Sequence, residues 1–288
     1  VHINILMSLP AAIIVRLSRY SSLWHIHEIV TAPRWAAALL PWLVWVFGEK
    51  VVTNSFATRQ NLVNWCPFLK NKTEVVLNGI DGSRFNNPIP MGVRKLCGWG
   101  EHTILFVMIG RIQDWKGQDI FLEAAEKAAS INDSLRFLIV GDSPPGQYHF
   151  TKNMLEAIHN STAKDSIVHW AHINDVERVL AEATASIVPS KSPEPFGLVV
   201  IEAMAAGIPV IASNHGGPSE IIKDGITGIL IPPNDSDSLS KAMIKLAENV
   251  GMSNEMGRNG RIEQREKYDV SRYVSQFEEL YEHQFQLS

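Results

Sequence analysis

The sequence predicts a doubly wound α/β fold, in which parallel strands are covered by helices on both faces. Short, almost wholly apolar runs alternate with longer amphipathic stretches through most of the 288 residues. Such runs are typical of parallel strands that are buried on both faces, and the alternation is what crossover helices between parallel strands produce. The composition, with 45% hydrophobic and 19% charged residues, is that of a globular chain and argues against disorder or a fibrous repeat.

The individual elements follow from these runs. Ten strands are predicted, at 1–6, 23–27, 50–53, 74–77, 103–109, 135–140, 167–170, 185–188, 209–212 and 228–231. Helices are predicted at 117–131, 175–183, 197–206, 236–249 and 270–286. The apolar stretch 36–47 is shorter than the roughly 20 residues that cross a bilayer, so we predict a buried or docking helix there. Its Trp42 and Trp45 leave open a position at a membrane surface.

Charge, cysteine content and the N-terminal residues narrow the class of protein. A net charge of −4 and a pI near 6.2 lack the basic footprint of a nucleic-acid binder, so we expect no nucleic-acid partner. Cys66 and Cys97 form neither a disulfide framework nor a CxxC metal pair and fit a reducing compartment. The chain begins with Val1 and shows no signal peptide, and we expect it to be a piece of a longer protein.

A domain boundary is predicted near residue 82. The segment 78–87 is rich in turn residues, and several Pro and Gly follow before the next strong strand. Residues 1–82 are interpreted as the C-terminal part of a first α/β domain and 83–265 as a second one. The helix within 266–288 is expected to pack back on the first domain.

The first candidate site is the loop from Gly110 to Gly117, which directly follows the strand 103–109. Ligands of open parallel sheets bind beyond the carboxyl ends of the strands. Gly110 permits a tight turn, and Gly117 opens a helix whose free amides favour an anion. Arg111 and Lys116 add two cations that suit a diphosphate. Two basic residues at this spacing also occur on ordinary solvated surfaces.

The second candidate is Gly141, at the end of the strand 135–140. A glycine here would let a ligand lie against the strand end. A simple turn is the alternative.

The third candidate site contains two carboxylates separated by seven residues. Glu194 lies in a loop, and Glu202 lies on the following helix with its side chain tilted back towards the helix start. Ionised carboxylates accept hydrogen bonds from vicinal hydroxyls of a sugar. The amides of Phe196, Gly197 and Leu198 at the helix start can hold further oxygens. The alternative is two surface glutamates that flank a helix start.

Six segments over residues 75–233 resemble, in order and spacing, the donor-binding half of the family 4 glycosyltransferases, which have the GT-B fold. They are VVLNGID, GRIQDWKG, VGDSP, PSKSPEPFGLVVIEAMAAGIPVIAS, GGPSE and DGITGILIPP. Upstream, His25-Ile26-His27-Glu28 and the segment 51–55 look like the late part of the family's N-terminal domain. We expect the first part of that domain to be missing from this sequence, so the resemblance implies a GT-B fold of two Rossmann-like domains with the N-terminal one incomplete.

The resemblance also implies roles for single residues. Arg111 and Lys116 match the cations that neutralise the nucleotide diphosphate, so that no metal or other cofactor is required. Glu194 matches the group that contacts the donor sugar near the reacting carbon, and Glu202 matches the clamp on the ribose hydroxyls. His27 matches a histidine that touches the donor sugar or the acceptor. For His27, a buried structural imidazole is the alternative.

The expected activity is therefore retaining, metal-independent transfer of a sugar from a nucleotide diphosphate donor to an acceptor hydroxyl. By family resemblance we expect a glycan or lipid-linked acceptor, a role in polysaccharide biosynthesis, and a cytoplasmic location with peripheral contact at the inner membrane face. Two alternatives remain: a catalytically silent nucleotide-sugar-binding module, and a GT-B epimerase or hydrolase of nucleotide sugars. One departure is the segment 170–172, Trp-Ala-His, where the family usually has a glycine beside the nucleobase.

Overall fold

A computed structural model describes residues 1–4, 9–18, 20–31 and 33–286. By their contacts the residues form two compact units. The first unit contains Val1–Ile80, Pro193–Gly197 and Lys267–Ser288, and the second contains Asp81–Ser192 and Leu198–Glu266. The domain limits given above, 1–82, 83–265 and 266–288, stay a prediction.

The first unit is built on a parallel sheet of four strands in the order β1-β2-β3-β4. The strands are β1 (His2–Asn4), β2 (Leu23–Ile26), β3 (Lys50–Thr53) and β4 (Thr73–Val75). Its helices are α1 (Leu9–Leu17), α2 (Arg34–Phe47) and α3 (Phe56–Trp65), followed by a 3₁₀ turn at Pro67–Asn71. The predicted strand 1–6 starts as expected, and its last two residues lie outside the described ones.

Two apolar clusters hold this unit together. One contains Trp24, Val51, Leu62 and Cys66, which are fully or almost fully buried. The other contains Leu23, Val52 and Val76, which pack against residues near the C-terminus of the chain, Phe277 and Leu280. A sheet face that the local helices leave open is therefore covered by chain about 200 residues away in sequence.

The second unit is a parallel sheet of six strands in the order β10-β9-β8-β5-β6-β7. The strands are β5 (Ile104–Ile109), β6 (Leu135–Val140), β7 (Ile167–Trp170), β8 (Ala185–Val188), β9 (Val210–Ser213) and β10 (Gly228–Ile231). Among the described residues, eight helices belong here, of which α4 is a single turn: α4 (Val93–Leu96), α5 (Gln118–Ile131), α6 (His149–Asn160), α7 (Val176–Leu180), α8 (Leu198–Ala206), α9 (Gly216–Ile221), α10 (Ser236–Glu248) and α11 (Val250–Lys267). The C-terminal helix α12 (Val270–Gln286) belongs to the first unit.

All ten predicted strands are present, and their bounds differ by at most two residues where the structure describes them. Two long helices, α6 and α11, had no predicted counterpart. In α6, Phe150, Met154 and Ile158 pack against the core of the second unit, and most of the other positions are polar. In α11, a glycine makes the close contact with the rest of the unit, because a Cβ at Gly257 would lie 2.0 Å from the carbonyl oxygen of Gly207. Hydrophobic periodicity cannot detect a helix that packs through its glycines.

Among the described residues, no helix is both long and apolar enough to cross a bilayer.

Candidate functional site

The second unit contains the point where the strand order of its sheet reverses. β5 pairs with β6 on one side and with β8 on the other, so the chain leaves β5 in one direction and returns on the opposite side. In open parallel sheets a crevice forms at this point, beyond the carboxyl ends of the strands, and ligands bind there. The loops that follow β5 and β8 are therefore the ones that a ligand would meet.

Two glycines bring the loops after β5 and β6 together. Gly110 has φ +152° and Gly141 has φ +142°, a region that L side chains rarely adopt. A Cβ at Gly141 would lie 2.0 Å from the carbonyl oxygen of Gly110, so only glycine fits at that position. Beyond them, the amide of Ile112 donates to the carbonyl of Asp142 at 3.0 Å. Both predicted glycines thus hold a close approach of two loops at this edge of the sheet.

A third glycine joins the loop after β5 to the loop after β8. Gly117 has φ +80°, and a Cβ there would lie 2.1 Å from the carbonyl oxygen of Pro189. Next to this contact, the amide of Lys191 donates to the carbonyl of Trp115 at 2.8 Å. The two loops at the switch point are therefore in direct contact, and Gly117 precedes the first residue of α5.

Lys191 also connects the two loops through its side chain. Its ammonium lies 2.7 Å from a carboxylate oxygen of Asp114 and 3.0 Å from one of Asp119. Burial lowers the pKa of Lys191, but the hydrogen bonds to the two carboxylates outweigh this and leave its pKa above the usual value. Lys191 is not among the site residues predicted from the sequence. Its partners lie more than 70 residues away, so spacing gives no signal for it.

The two predicted cations lie on the same loop. Arg111 is exposed, and its backbone carbonyl accepts a hydrogen bond at 2.9 Å from the side chain of the buried Gln118, which fixes the backbone beneath the guanidinium. The Lys116 ammonium lies 4.4 Å from the centre of the Trp115 ring, a cation–π contact. The loop after β5 therefore carries two cations, and Lys191 of the loop after β8 adds a third. The carboxylates of Asp114 and Asp119 supply two negative charges beside them. A net positive loop at a helix start suits a diphosphate.

Glu202, the second predicted glutamate, lies in the middle of α8 and is half-buried. Burial raises the pKa of its carboxyl above the usual range; the Arg84 guanidinium opposes this shift and the Glu177 carboxylate adds to it. Arg84 and Glu177 form an ion pair with a distance of 3.0 Å. Sequence reasoning missed this pair, because Arg84 is more than 100 residues from α8. Leu198, the last of the three predicted amide donors, is the first residue of α8.

Residues of two further loops also contact this edge of the second unit. His215, after β9, has its Nε2 2.7 Å from the carbonyl oxygen of Ser190. The amide of His172, after β7, donates to the carboxylate of Asp142 at 2.9 Å. The segment 170–172, which departs from the family pattern, is thus tied to the loop that carries Gly141.

Glu194, the first predicted glutamate, lies in the segment Pro193–Gly197, which belongs to the first unit. The carbonyl of Pro195 accepts hydrogen bonds from the hydroxyls of Ser55 and Thr58 at the start of α3. Ser55 also caps that helix, because its Oγ accepts from the amide of Thr58 at 3.0 Å. Glu194 itself is 6% exposed. The segment is therefore held by the residues that follow β3, whose role the sequence did not reveal.

Phe196 and Gly197 follow in the same segment. Phe196 is buried and meets the ring of Tyr268 edge to face, with the ring centroids 6.1 Å apart. Tyr268 is fixed in turn, because the amide of Ile80 donates to its carbonyl at 3.0 Å. A Cβ at Gly79 would lie 2.5 Å from the carbonyl oxygen of Asp269, which explains the glycine in the VVLNGID segment. Gly197 has φ +99°.

His27 directly follows β2 in the first unit. Its Nε2 lies 2.9 Å from the amide oxygen Oδ1 of Asn4, so this nitrogen carries the proton and donates it. Burial lowers the pKa of His27, and the carboxylate of Glu28 opposes the shift. The ring is half-buried, and its centre lies 3.8 Å from that of His25. The imidazole is therefore neutral near pH 7, with Nδ1 as its acceptor nitrogen.

The structure thus brings Gly110, Arg111, Lys116 and Gly141 together at one edge of the second unit. Leu198 and Glu202 also belong to that unit. The other predicted residues, His27, Glu194, Phe196 and Gly197, belong to the first unit. Among the described residues, no three His, Cys, Asp or Glu side chains are placed to hold a metal ion. Activity without a metal remains a prediction.

Comparison with known proteins gives relatives of similar sequence along most of this chain. The chain is 29% identical over 227 residues to the D-inositol 3-phosphate glycosyltransferase of Kribbella flavida. The aligned region covers 73% of this chain and 51% of that protein. This chain is 28% identical over 218 residues to an Escherichia coli protein named UDP-Gal:alpha-D-GlcNAc-diphosphoundecaprenol alpha-1,3-galactosyltransferase, covering 73% and 54% respectively. The chain spans about half the length of these curated relatives.

Solved structures share the fold. HepE of Anabaena, in complex with UDP-glucose, superposes with a TM-score of 0.90 at 22% identity, covering 98% of this chain and 78% of that one. Sucrose-phosphate synthase of Thermosynechococcus elongatus gives a TM-score of 0.84 at 23% identity, covering 100% of this chain and 74% of that one. The predicted GT-B fold class is confirmed by these similarities.

The family model described as "Glycosyl transferases group 1" matches residues 95–263. This range includes the loops after β5, β6 and β8 and all of α8, and it covers more than half of the chain. Together with the geometry of those loops, the match shows that this protein belongs to the group 1 glycosyltransferase family.

Proposed function

We propose that this chain binds a nucleoside diphosphate sugar and transfers its sugar to an acceptor hydroxyl, as a retaining glycosyltransferase of family 4. The observation that carries the proposal is the contact between the loops after β5 and β8 at the switch point of the second unit. This contact places Arg111 and Lys116 on a rigid loop at the start of α5. A loop whose backbone is held by these contacts suits a diphosphate better than a flexible surface loop would, because less conformational freedom is lost when the ligand binds.

In the proposed reaction, the bond between the anomeric carbon and the donor's phosphate oxygen breaks. The acceptor oxygen forms its new bond on the same face of the sugar, and its proton passes to the departing phosphate. Negative charge grows on the diphosphate in this step, so Arg111 and Lys116 would stabilise the transition state more than the ground state. Glu194 would contact the sugar and Glu202 the ribose hydroxyls, as the family resemblance implies.

The acceptor is proposed to be a glycan or a lipid-linked saccharide. One relative is named for a diphosphoundecaprenol-linked substrate, and this supports an acceptor of that class. A cytoplasmic location at the inner membrane face would follow from such an acceptor.

The donor half of the proposal is tested by thermal unfolding with UDP, GDP and ADP. A nucleotide at about 100 times its Kd stabilises the folded protein by about 2.7 kcal/mol, which raises the melting temperature measurably. Arg111→Ala and Lys116→Ala should each weaken binding about tenfold or more, because each removes a charge-assisted contact with phosphate. Lys95→Ala removes an exposed cation from α4 and serves as the matched control. Equal binding by all four proteins would place the diphosphate elsewhere.

The transfer half is tested by following nucleoside diphosphate release from the preferred nucleotide sugar, with and without a saccharide acceptor. NMR of the product then gives the anomeric configuration, and retention is expected. Glu194→Gln keeps the size of the side chain and should reduce turnover by orders of magnitude while nucleotide binding persists. Tight binding without any release by the unaltered chain would contradict transfer and favour the catalytically silent binding module.

A further inference from the structure

The carboxyl ends of β1 and β2 bring a polar pair, Asn4 and His27, to one edge of the first unit. Asn4 is the last residue of β1 and lies opposite His25 in the register of the two parallel strands. His27 directly follows β2, and its ring lies on the same side as that of His25, with the ring centres 3.8 Å apart. Ligands of open parallel sheets bind beyond this edge, so the pair lies where a ligand of this unit would be.

Three contacts hold His27 in place. Its Nε2 lies 2.9 Å from Oδ1 of Asn4, and its backbone amide donates to the carboxylate of Glu28 at 3.2 Å. The third contact is with the ring of His25, which is buried. Within the part of the chain that the structure describes, Nδ1 of His27 meets no hydrogen-bond partner, and the ring is half-buried. This nitrogen is therefore the one that remains for a ligand.

Asn4 decides which nitrogen of this ring carries the proton. An amide oxygen only accepts hydrogen bonds, so the contact requires the proton on Nε2 and leaves the lone pair on Nδ1. The hydrogen bond at one ring nitrogen sets the role of the other in the same way in many histidine sites. A lone pair accepts a hydrogen bond from a hydroxyl and repels an anionic oxygen. The neutral ring of His27 therefore suits a sugar hydroxyl and not a phosphate.

We propose that Asn4 is a positioning residue of the transfer reaction: it holds the proton of His27 on Nε2, so that Nδ1 accepts a hydrogen bond from a hydroxyl of the donor sugar or of the acceptor. The inference rests on the proposed function, because the hydroxyl belongs to one of the substrates named there. It adds a residue that lies outside the segments shared with the family, and it adds the direction of the hydrogen bond.

Protonation of His27 removes this lone pair. The titratable groups that face the ring are His25, His2 and Glu28. Burial lowers the pKa of His27, and the carboxylate of Glu28 opposes the shift. The charge of a protonated His27 lowers the pKa of His2 and of His25 further, so His27 is the first of the three to take up a proton as the pH falls. Its hydroxyl contact is thus lost on the acid side of its own pKa.

An NMR titration of the 288-residue chain tests the role of Asn4 without any substrate. Long-range proton–nitrogen spectra show which ring nitrogen is protonated, and His27→Gln identifies the signals. The proton is expected on Nε2 at neutral pH. Asn4→Asp keeps the size of the side chain and places a carboxylate beside Nε2, so the pKa of His27 should rise by about one unit. A proton on Nδ1 in the unaltered chain overturns the proposal.

Asn71→Asp is the matched control for the added charge. Asn71 is exposed and precedes β4, so it lies near the opposite, amino-terminal edge of the same sheet. The NMR midpoint of His27 should stay where it is in this variant. Equal midpoints in Asn4→Asp and Asn71→Asp also overturn the proposal, because the carboxylate at position 4 would then not be beside the ring.

The transfer assay tests the contact with the substrate. In Asn4→Asp, the acid limb of kcat/KM should move to higher pH by the same amount as the NMR midpoint. Asn4→Ala removes the acceptor and should lower kcat/KM about fivefold near pH 7.5. Its melting temperature should be unchanged, since Asn4 is exposed. A rise in KM for the nucleotide sugar assigns the hydroxyl to the donor, and a rise in KM for the saccharide assigns it to the acceptor.

The outcomes separate this inference from the proposed function. A shifted NMR midpoint with an unshifted acid limb, or unchanged kcat/KM in Asn4→Ala, overturns the hydroxyl contact while transfer itself stands. Absence of transfer by the unaltered chain at every pH contradicts the proposed function and the hydroxyl contact with it. The NMR midpoints then still support or refute the role of Asn4 in placing the proton of His27.

Discussion

At the scale of single residues, the close contacts among the loops after β5, β6 and β8 of the second unit depend on glycines that no other residue can replace. Gly117 combines a positive φ with a carbonyl oxygen where its Cβ would be, whereas Gly92 has nearly the same backbone, with φ +80° and ψ +37°, in open space. A comparison of substitutions at these two positions therefore separates the free energy lost through the backbone conformation from the free energy lost through the contact with Pro189.

Gly117→Ala is expected to destabilise the protein by about 1–3 kcal/mol more than Gly92→Ala, because the added methyl must displace the loop after β8. Urea unfolding of both variants measures this difference. Gly117→Ala should also weaken binding of the preferred nucleoside diphosphate, since the loop that carries Lys116 moves. Equal destabilisation by the two changes would show that the loop contact is softer than the structure indicates.

A second residue-scale feature is His25, which is 1% exposed and whose Nε2 has no hydrogen-bond partner among the described residues. Burial, together with the nearby His27 and His2, lowers the pKa of His25 to about 3. The folded protein therefore holds a neutral imidazole at pH values where the unfolded chain, with a histidine pKa near 6.5, is already protonated.

It follows that the free energy of unfolding should fall as the pH drops from about 6.5 towards 3, by about 1.4 kcal/mol per pH unit for this one proton. His25→Leu should make the pH dependence of urea unfolding shallower by that amount. His159→Leu changes an exposed histidine and should leave the slope as it is. An unchanged slope in His25→Leu would mean that His25 titrates normally in the folded state.

At the scale of elements, Lys191 forms ion pairs with Asp114, in the loop after β5, and with Asp119, in the first turn of α5. Lys191→Met leaves Asp114 and Asp119 without this cation, beside the proposed diphosphate. The Kd for the nucleotide that binds best among UDP, GDP and ADP should rise roughly three- to tenfold, which corresponds to about 0.7–1.4 kcal/mol. Isothermal titration calorimetry measures it. Lys152→Met, which removes only an exposed ion pair with Glu156, provides the comparison, and a similar small change in both variants would argue against the assigned role.

Helix α12 is the second element whose importance emerges only from the fold. Phe277 is buried against the cluster of Leu23, Val52 and Val76. Phe277→Ala should therefore lower the free energy of unfolding by about 3–5 kcal/mol. Val274→Ala, at a more exposed position on the same helix, should change it by less than about 0.5 kcal/mol. Comparable effects of the two changes would indicate that α12 is only loosely packed.

At the scale of the whole molecule, each unit contains one free cysteine. Cys66 is fully buried in the first unit, and Cys97 is half-buried in the second. Burial and the carboxylate of Glu182 raise the pKa of Cys97, which reduces its thiolate fraction. Both thiols are therefore less reactive in the folded protein, because Cys66 is inaccessible and Cys97 carries less thiolate.

Alkylation with iodoacetamide at pH 8, followed by peptide mass spectrometry, is expected to leave Cys66 unmodified in native buffer and to modify Cys97 more slowly than a free thiol. In urea both should react at the rate of an unfolded chain. Cys66→Ser and Cys97→Ser assign the two signals. Rapid modification of Cys66 in native buffer would contradict its burial in the core of the first unit.

The sequence by itself determined the ten strands, the α/β class and the glycines and cations of the loop after β5. These features are local: a buried parallel strand must be apolar, and a glycine or an arginine is recognised where it stands. The family segments added the positions of Glu194 and Glu202, whose roles stay a prediction.

Only the tertiary structure decided which distant residues support those positions. Lys191 meets Asp114 and Asp119, Ser55 and Thr58 hold the carbonyl of Pro195, and the sheet face of the first unit is covered by α12. In each case the partners are separated by roughly 70 residues or more, so no local period or spacing encodes the contact. Their meeting is fixed by strand order and packing, because the sheet brings together carboxyl ends that are far apart along the chain.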